Sequence, residues 1–73
     1  MKTLKLTFIG WNMYDNLPVY ESESGNLYCD TDPISKYKPR ICNRYKNEFY
    51  GEPDTPIRQD IVLEFIPKRM VWR

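Results

Sequence analysis

Apolar and polar residues alternate near both ends of this 73-residue chain. Leu4, Leu6 and Phe8 are separated by Lys5 and Thr7, the period-two pattern of a strand with one buried face. Gly10 marks its end. Ile61, Leu63 and Phe65 repeat the pattern in spacing and size. Here Val62 and Ile66 make the opposite face apolar too, which predicts a central strand rather than an edge. The matching triplets predict that these two strands pair, and antiparallel pairing is the expectation in so short a chain.

Between them, Pro18–Ser22 and Leu27–Thr31 are β-type runs around Ser24-Gly25-Asn26. That polar insert supplies residues suited to positive φ, so a hairpin is predicted. On its return arm Leu27 and Cys29 share one face and are assigned inward, with Tyr28 and Asp30 on the other. Trp11–Asn16 reads as a loop or one helical turn. From Asp32 to Pro56 the alternation stops, and Pro33, Pro39, Pro53 and Pro56 exclude ladder bonds or helix interiors at their positions. Asp32 as a cap with Pro33 at the first helical position predicts one turn over Ile34–Lys38. Ile41, Tyr45 and Phe49 recur every four residues, which suits two helical turns between Pro39 and Gly51; a short irregular strand is the competing reading.

The predicted architecture is one domain over residues 1–73, mostly β or small α+β. It has about four strands in a twisted antiparallel sheet or open barrel, with one short helical insertion. Its predicted core is Leu4, Leu6, Phe8, Val19, Leu27, Ile61, Leu63 and Phe65.

A domain of this size buries only about 60% of its unfolded-chain surface. Six Tyr, three Phe and two Trp are more rings than so thin a core encloses. The surplus points to a contact surface, because Tyr and Trp are enriched at interface hot spots. Trp11, Tyr14 and Trp72 are the predicted partner-binding residues, and the expected partner is a protein.

Net charge is +1, so no global field draws the chain to nucleic acid or membrane. The distribution is uneven. Lys36, Lys38, Arg40, Arg44 and Lys46 interleave with Tyr37 and Tyr45, between acidic flanks. Charge for phosphates and rings for base stacking are what single-strand binders combine. Single-stranded nucleic-acid binding through Lys36, Tyr37, Lys38, Arg40, Arg44, Tyr45 and Lys46 is therefore the alternative function.

The chain has no histidine, which removes the commonest general base and metal ligand and every Ser-His-Asp or Cys-His arrangement. Ser22, Ser24 and Ser35 sit in turn-like contexts, where hydroxyls bridge backbone groups. Glu21 with Glu23, and Asp30 with Asp32, lie two apart on facing arms of the hairpin. Such acids ordinarily serve solubility and edge protection. Cys29 and Cys42 lack the paired short spacings of a zinc site, and three scattered glycines make no phosphate cradle. Arg40 and Arg44 each lie two residues from Cys42 and could lower its pKa, although an ordinary thiol is the simpler reading. The expectation is a non-enzymatic protein without catalytic residues, metal or cofactor.

Lys5 interrupts the N-terminal apolar run and no small-x-small cleavage site follows, so this segment does not read as a secretory signal. No stretch approaches the ~20 apolar residues of a membrane-spanning helix. The expected location is the cytoplasm, with no membrane contact, where two cysteines are ordinarily reduced; a Cys29–Cys42 disulfide stays geometrically conceivable and would matter on secretion by another route.

Phe8-Ile9-Gly10-Trp11, Leu17-Pro18-Val19-Tyr20 and Gly25-Asn26-Leu27-Tyr28-Cys29-Asp30-Thr31-Asp32 together resemble short uncharacterised proteins of gut bacteria and their mobile elements. Asn47-Glu48-Phe49-Tyr50-Gly51-Glu52-Pro53-Asp54-Thr55-Pro56 extends the likeness to over half of the chain. The resemblance implies a bacterial or phage accessory protein and brings no catalytic or cofactor-binding residues with it.

Overall fold

The computed structural model describes residues 2–34, 39–58 and 60–67. Six strands form one open mixed sheet: β1 (Thr3–Asn12), β2 (Leu17–Ser22), β3 (Leu27–Asp30), β4 (Ile41–Arg44), β5 (Pro53–Pro56) and β6 (Val62–Ile66). Their order is β5-β4-β3-β2-β1-β6. The first five make an antiparallel meander. β6 returns to the free edge of β1 and runs parallel to it, from Thr3 opposite Val62 to Thr7 opposite Ile66.

That parallel pairing corrects the antiparallel expectation. Leu4 lies opposite Leu63 and Leu6 opposite Phe65, so the triplets share a face as predicted. Alternation puts them on one face in either direction and could not choose between the two. Direction shows only in the pairing itself, with Thr3 opposite Val62 and Thr7 opposite Ile66. β5 and β6 lie at opposite edges, yet six residue steps join Pro56 to Val62, a reach of at most about 22 Å. A flat six-stranded sheet would hold its edges about 24 Å apart. The sheet must therefore roll, and Ile57 in the connection packs against the core.

The main core lies on the face that carries Leu6, Tyr20 and Ile41, with Leu4, Phe8, Tyr28, Ile57, Leu63 and Phe65 packed around them. Tyr20 is its hub, edge-to-face with Phe8 at 5.8 Å and with Phe65 at 5.2 Å. Such contacts add to the area these rings bury. Tyr28 lies opposite Tyr20 and faces this core, which reverses the predicted parity of the hairpin. Val19, Cys29 and Cys42 are opposite one another on the second face and are buried there. Both faces of β2–β4 are covered, so single-face alternation misassigned them. Leu27 and Ile61 are only half-buried and stand outside the core cluster.

The helical insertion is also corrected. Ile41–Arg44 is strand β4, followed by a 3-10 turn over Tyr45–Asn47 in which Lys46 and Asn47 take positive φ. Ladder bonding to β3 overrides the four-residue spacing of Ile41, Tyr45 and Phe49. There is no α-helix among the described residues, and most of the turn expected over Ile34–Lys38 lies outside them. β6 is an edge strand rather than a central one, with Val62 and Ile66 exposed. Gly10 does not end β1, whose register instead shifts between Phe8 and Gly10 before it runs on to Asn12.

The hairpin forms as predicted. Gly25 takes φ +87°, its N–H donates to the Ser22 carbonyl, and the Ser22 N–H donates to Asn26. Asn47 clamps it from across the molecule: its Oδ1 accepts from the Leu27 N–H at 2.6 Å and its Nδ2 donates to the Gly25 carbonyl.

Candidate functional site

The register shift in β1 brings Gly10 opposite Val19 and Asn12 opposite Leu17, placing Asn12 on the second face near Arg44 of β4. The Arg44 side chain is wholly buried, and its Nη1 lies 2.7 Å from Asp15 Oδ2 in the β1–β2 turn. Arg44 Nη2 donates to the Phe49 carbonyl at 2.9 Å, and Asn12 Nδ2 donates to the same oxygen at 2.7 Å. Asn12 Oδ1 accepts from the Tyr14 N–H at 2.8 Å. Two connections distant in sequence, 13–16 and 45–52, are thus pinned to each other through buried polar groups. Among the described residues Asp15 Oδ1, Arg44 Nε and Arg44 Nη1 have no hydrogen-bond partner, so the pair carries a desolvation cost that its attraction only partly offsets. Its role is to place the two connections.

What they place is aromatic. Tyr14 and Tyr50 are 86% and 66% exposed, yet their rings meet edge-to-face with centroids 5.3 Å apart. Tyr50 also stands on Phe49 at 4.9 Å, and Phe49 closes over Gly10, where any Cβ would come within 3.3 Å of its ring. Gly51 makes the loop tight enough for this, because an added Cβ would collide with the Tyr45 carbonyl. Tyr14, Asp15, Tyr50 and Glu52 line a surface cavity of about 550 Å³. Arg44 balances Asp15, whereas Glu52 has no ion-pair partner among the described residues. The rim therefore carries unbalanced negative charge beside two ring faces.

Burial pushes the Cys29 thiol above its ordinary pKa, and a hydrogen bond and the charge of Arg44 only partly oppose this. Cys42 is buried beside it, so neither sulfur faces solvent in the closed sheet.

Of the predicted contact residues, Tyr14 lies on this surface. Trp11 is half-buried in β1, and its Nε1 donates to Asn16 Oδ1 at 2.8 Å across the turn. Trp72 lies outside the described residues, as do Lys36, Tyr37 and Lys38. In the rest of the basic segment, Arg40 is exposed and Lys46 sits 5.6 Å from the centroid of the exposed Tyr45 ring. Arg44 is corrected outright: it is an internal cation and presents nothing to a phosphate. Of the hairpin acids, Asp30 is buried and its Oδ1 accepts from the Asp32 and Arg40 N–H groups.

Asn12, Asp15, Tyr50 and Glu52 were missed by sequence reasoning. The available signal was Phe49-Tyr50-Gly51, two adjacent rings before a glycine, of which the four-residue spacing used only Phe49. No protein-family model, curated protein or solved structure matches the chain.

Proposed function

We propose that this chain is a small non-enzymatic protein-binding module, an accessory factor of a bacterial or phage system, and that it grips a basic segment of its partner at the Tyr14–Tyr50 surface. The observation that carries the reading is a pair of tyrosines exposed and yet held edge-to-face beside a cavity. Exposed aromatic area held rigid from below loses little entropy on binding, which is what an interface anchor requires. Glu52 and the ring faces both attract a Lys or Arg side chain. The bacterial or phage setting rests on the sequence resemblance alone. The nucleic-acid alternative is weakened by the burial of Arg44 and by the carboxylates at the cavity.

The test uses the full chain as bait in an extract of its native host. A specific protein retained by the wild type should be lost by Tyr14→Ala and by Tyr50→Ala, each with a melting midpoint near that of the wild type. Glu52→Gln should weaken capture severalfold, and added salt should weaken it further. Retention of the partner by both tyrosine variants would overturn the proposal.

A further inference from the structure

Cys29 and Cys42 are separated by twelve residues in sequence and lie directly opposite each other on β3 and β4. Both are free thiols and both are buried. The ladder phase can be read from its neighbours. The Thr31 N–H donates to the Arg40 carbonyl at 2.8 Å, which makes that pair a hydrogen-bonded one. Two residues further in, Cys29 and Cys42 are then also a hydrogen-bonded pair. Such pairs hold their Cα atoms about 5.5 Å apart with side chains on the same face, inside the Cα range of disulfides. Their Cβ atoms stand near the wide end of about 4.5–5.5 Å, so a bridge here is strained and readily reduced. Asp30 lies opposite Ile41 and Tyr28 opposite Asn43, so no register change separates the thiols.

We propose that Cys29 and Cys42 form a redox-responsive pair that closes into a cross-strand disulfide, stapling β3 to β4 under the Arg44–Asp15 ion pair. The oxidant class is a low-molecular-weight disulfide such as oxidised glutathione. One cysteine thiolate attacks a sulfur of that disulfide, giving a mixed disulfide and one released thiol. The second cysteine, deprotonated in turn, attacks the protein sulfur of the mixed disulfide and displaces the second thiol. The protein gives up two electrons and two protons, and the small disulfide becomes two thiols. Burial keeps both sulfurs from solvent, so exchange proceeds through brief opening of the sheet, and the dithiol persists until the surroundings turn oxidising. Closure bears on the surface described above because Arg44 follows Cys42 by two residues on β4.

The experiment incubates the full chain with a graded excess of oxidised over reduced glutathione and reads intact mass, a non-reducing peptide map and the melting curve. The expected product is a monomer lighter by about 2 Da, the two thiol hydrogens lost in a disulfide. A Cys29–Cys42 peptide link, and a change in the melting midpoint that reductant reverses, should accompany it. Cys29→Ala and Cys42→Ser should each abolish the link. A second sample is oxidised in denaturant and returned to buffer, where it should recover the native far-ultraviolet spectrum. A native chain that stays dithiol at saturating oxidant, or yields only a single glutathione adduct or dimers between chains, would overturn the inference. So would a cross-linked chain that fails to refold.

Discussion

Arg44 Nη1 and Asp15 Oδ2 stand 2.7 Å apart, with the arginine side chain entirely out of solvent and the aspartate a quarter exposed. One residue belongs to the fourth strand and the other to the first turn. Their contact is what brings Tyr14 and Tyr50 within ring-stacking distance. A buried cation left without its partner is far more costly than an absent pair.

Asp15→Ala should therefore lower stability by about 3–5 kcal/mol, comparable with the whole net stability of a domain this small. Asp15→Ala combined with Arg44→Met should recover much of that loss, because it removes both charges and keeps the volume. Denaturant titration of the two single variants and the double variant measures the coupling. Additive losses would count against the ion pair as the link between the two connections.

Two glycines should respond to alanine very differently. At Gly51 the added methyl meets the Tyr45 carbonyl, whereas at Gly25 nothing lies within 4 Å and only the positive φ opposes it. Gly25→Ala should cost about 1 kcal/mol. Gly51→Ala should cost several times as much, since backbone must move. Equal melting shifts would show that the 45–52 loop has room to relax.

Core truncations should rank by burial. Leu6 is fully buried, while Leu63 on the edge strand is half-buried. Leu6→Ala should cost about 2–5 kcal/mol and leave little folded protein. Leu63→Ala should cost distinctly less. The reverse order in thermal melts would place the core nearer β6 than β2.

The Cys29 thiol, raised in pKa by burial, sets a sign for alkaline stability. Above about pH 8.5 the unfolded thiol ionises while the folded one still holds its proton. The native state then binds more protons, so stability is complete below the unfolded pKa and falls as pH rises towards the folded one. Melting the wild type and Cys29→Ala from pH 7 to 10 should show the steeper decline in the wild type. Parallel curves would mean that Cys29 ionises equally well in both states.

Much of the sheet was legible in the chain itself. The triplet Leu4-Leu6-Phe8, the pair Leu63-Phe65 and the hairpin around Gly25 are local patterns, and the structure realises them because period-two alternation and positive φ are properties of a few consecutive residues. Tyr14 was legible for the same reason: a ring in a polar turn has no local face to hide in. What the tertiary structure alone decided was direction, strand number and the site. The parallel course of β6 appears only in its pairing with β1, and the strand at Ile41–Arg44 exists because β3 offers a ladder that local helical spacing could not outweigh. Arg44 read as one cation among five in a basic run. Only the meeting of β4 with the first turn turned it inward and left Tyr14, Tyr50 and Glu52 on the same patch of surface, because side chains far apart in sequence acquire a common face only when the backbone between them has folded.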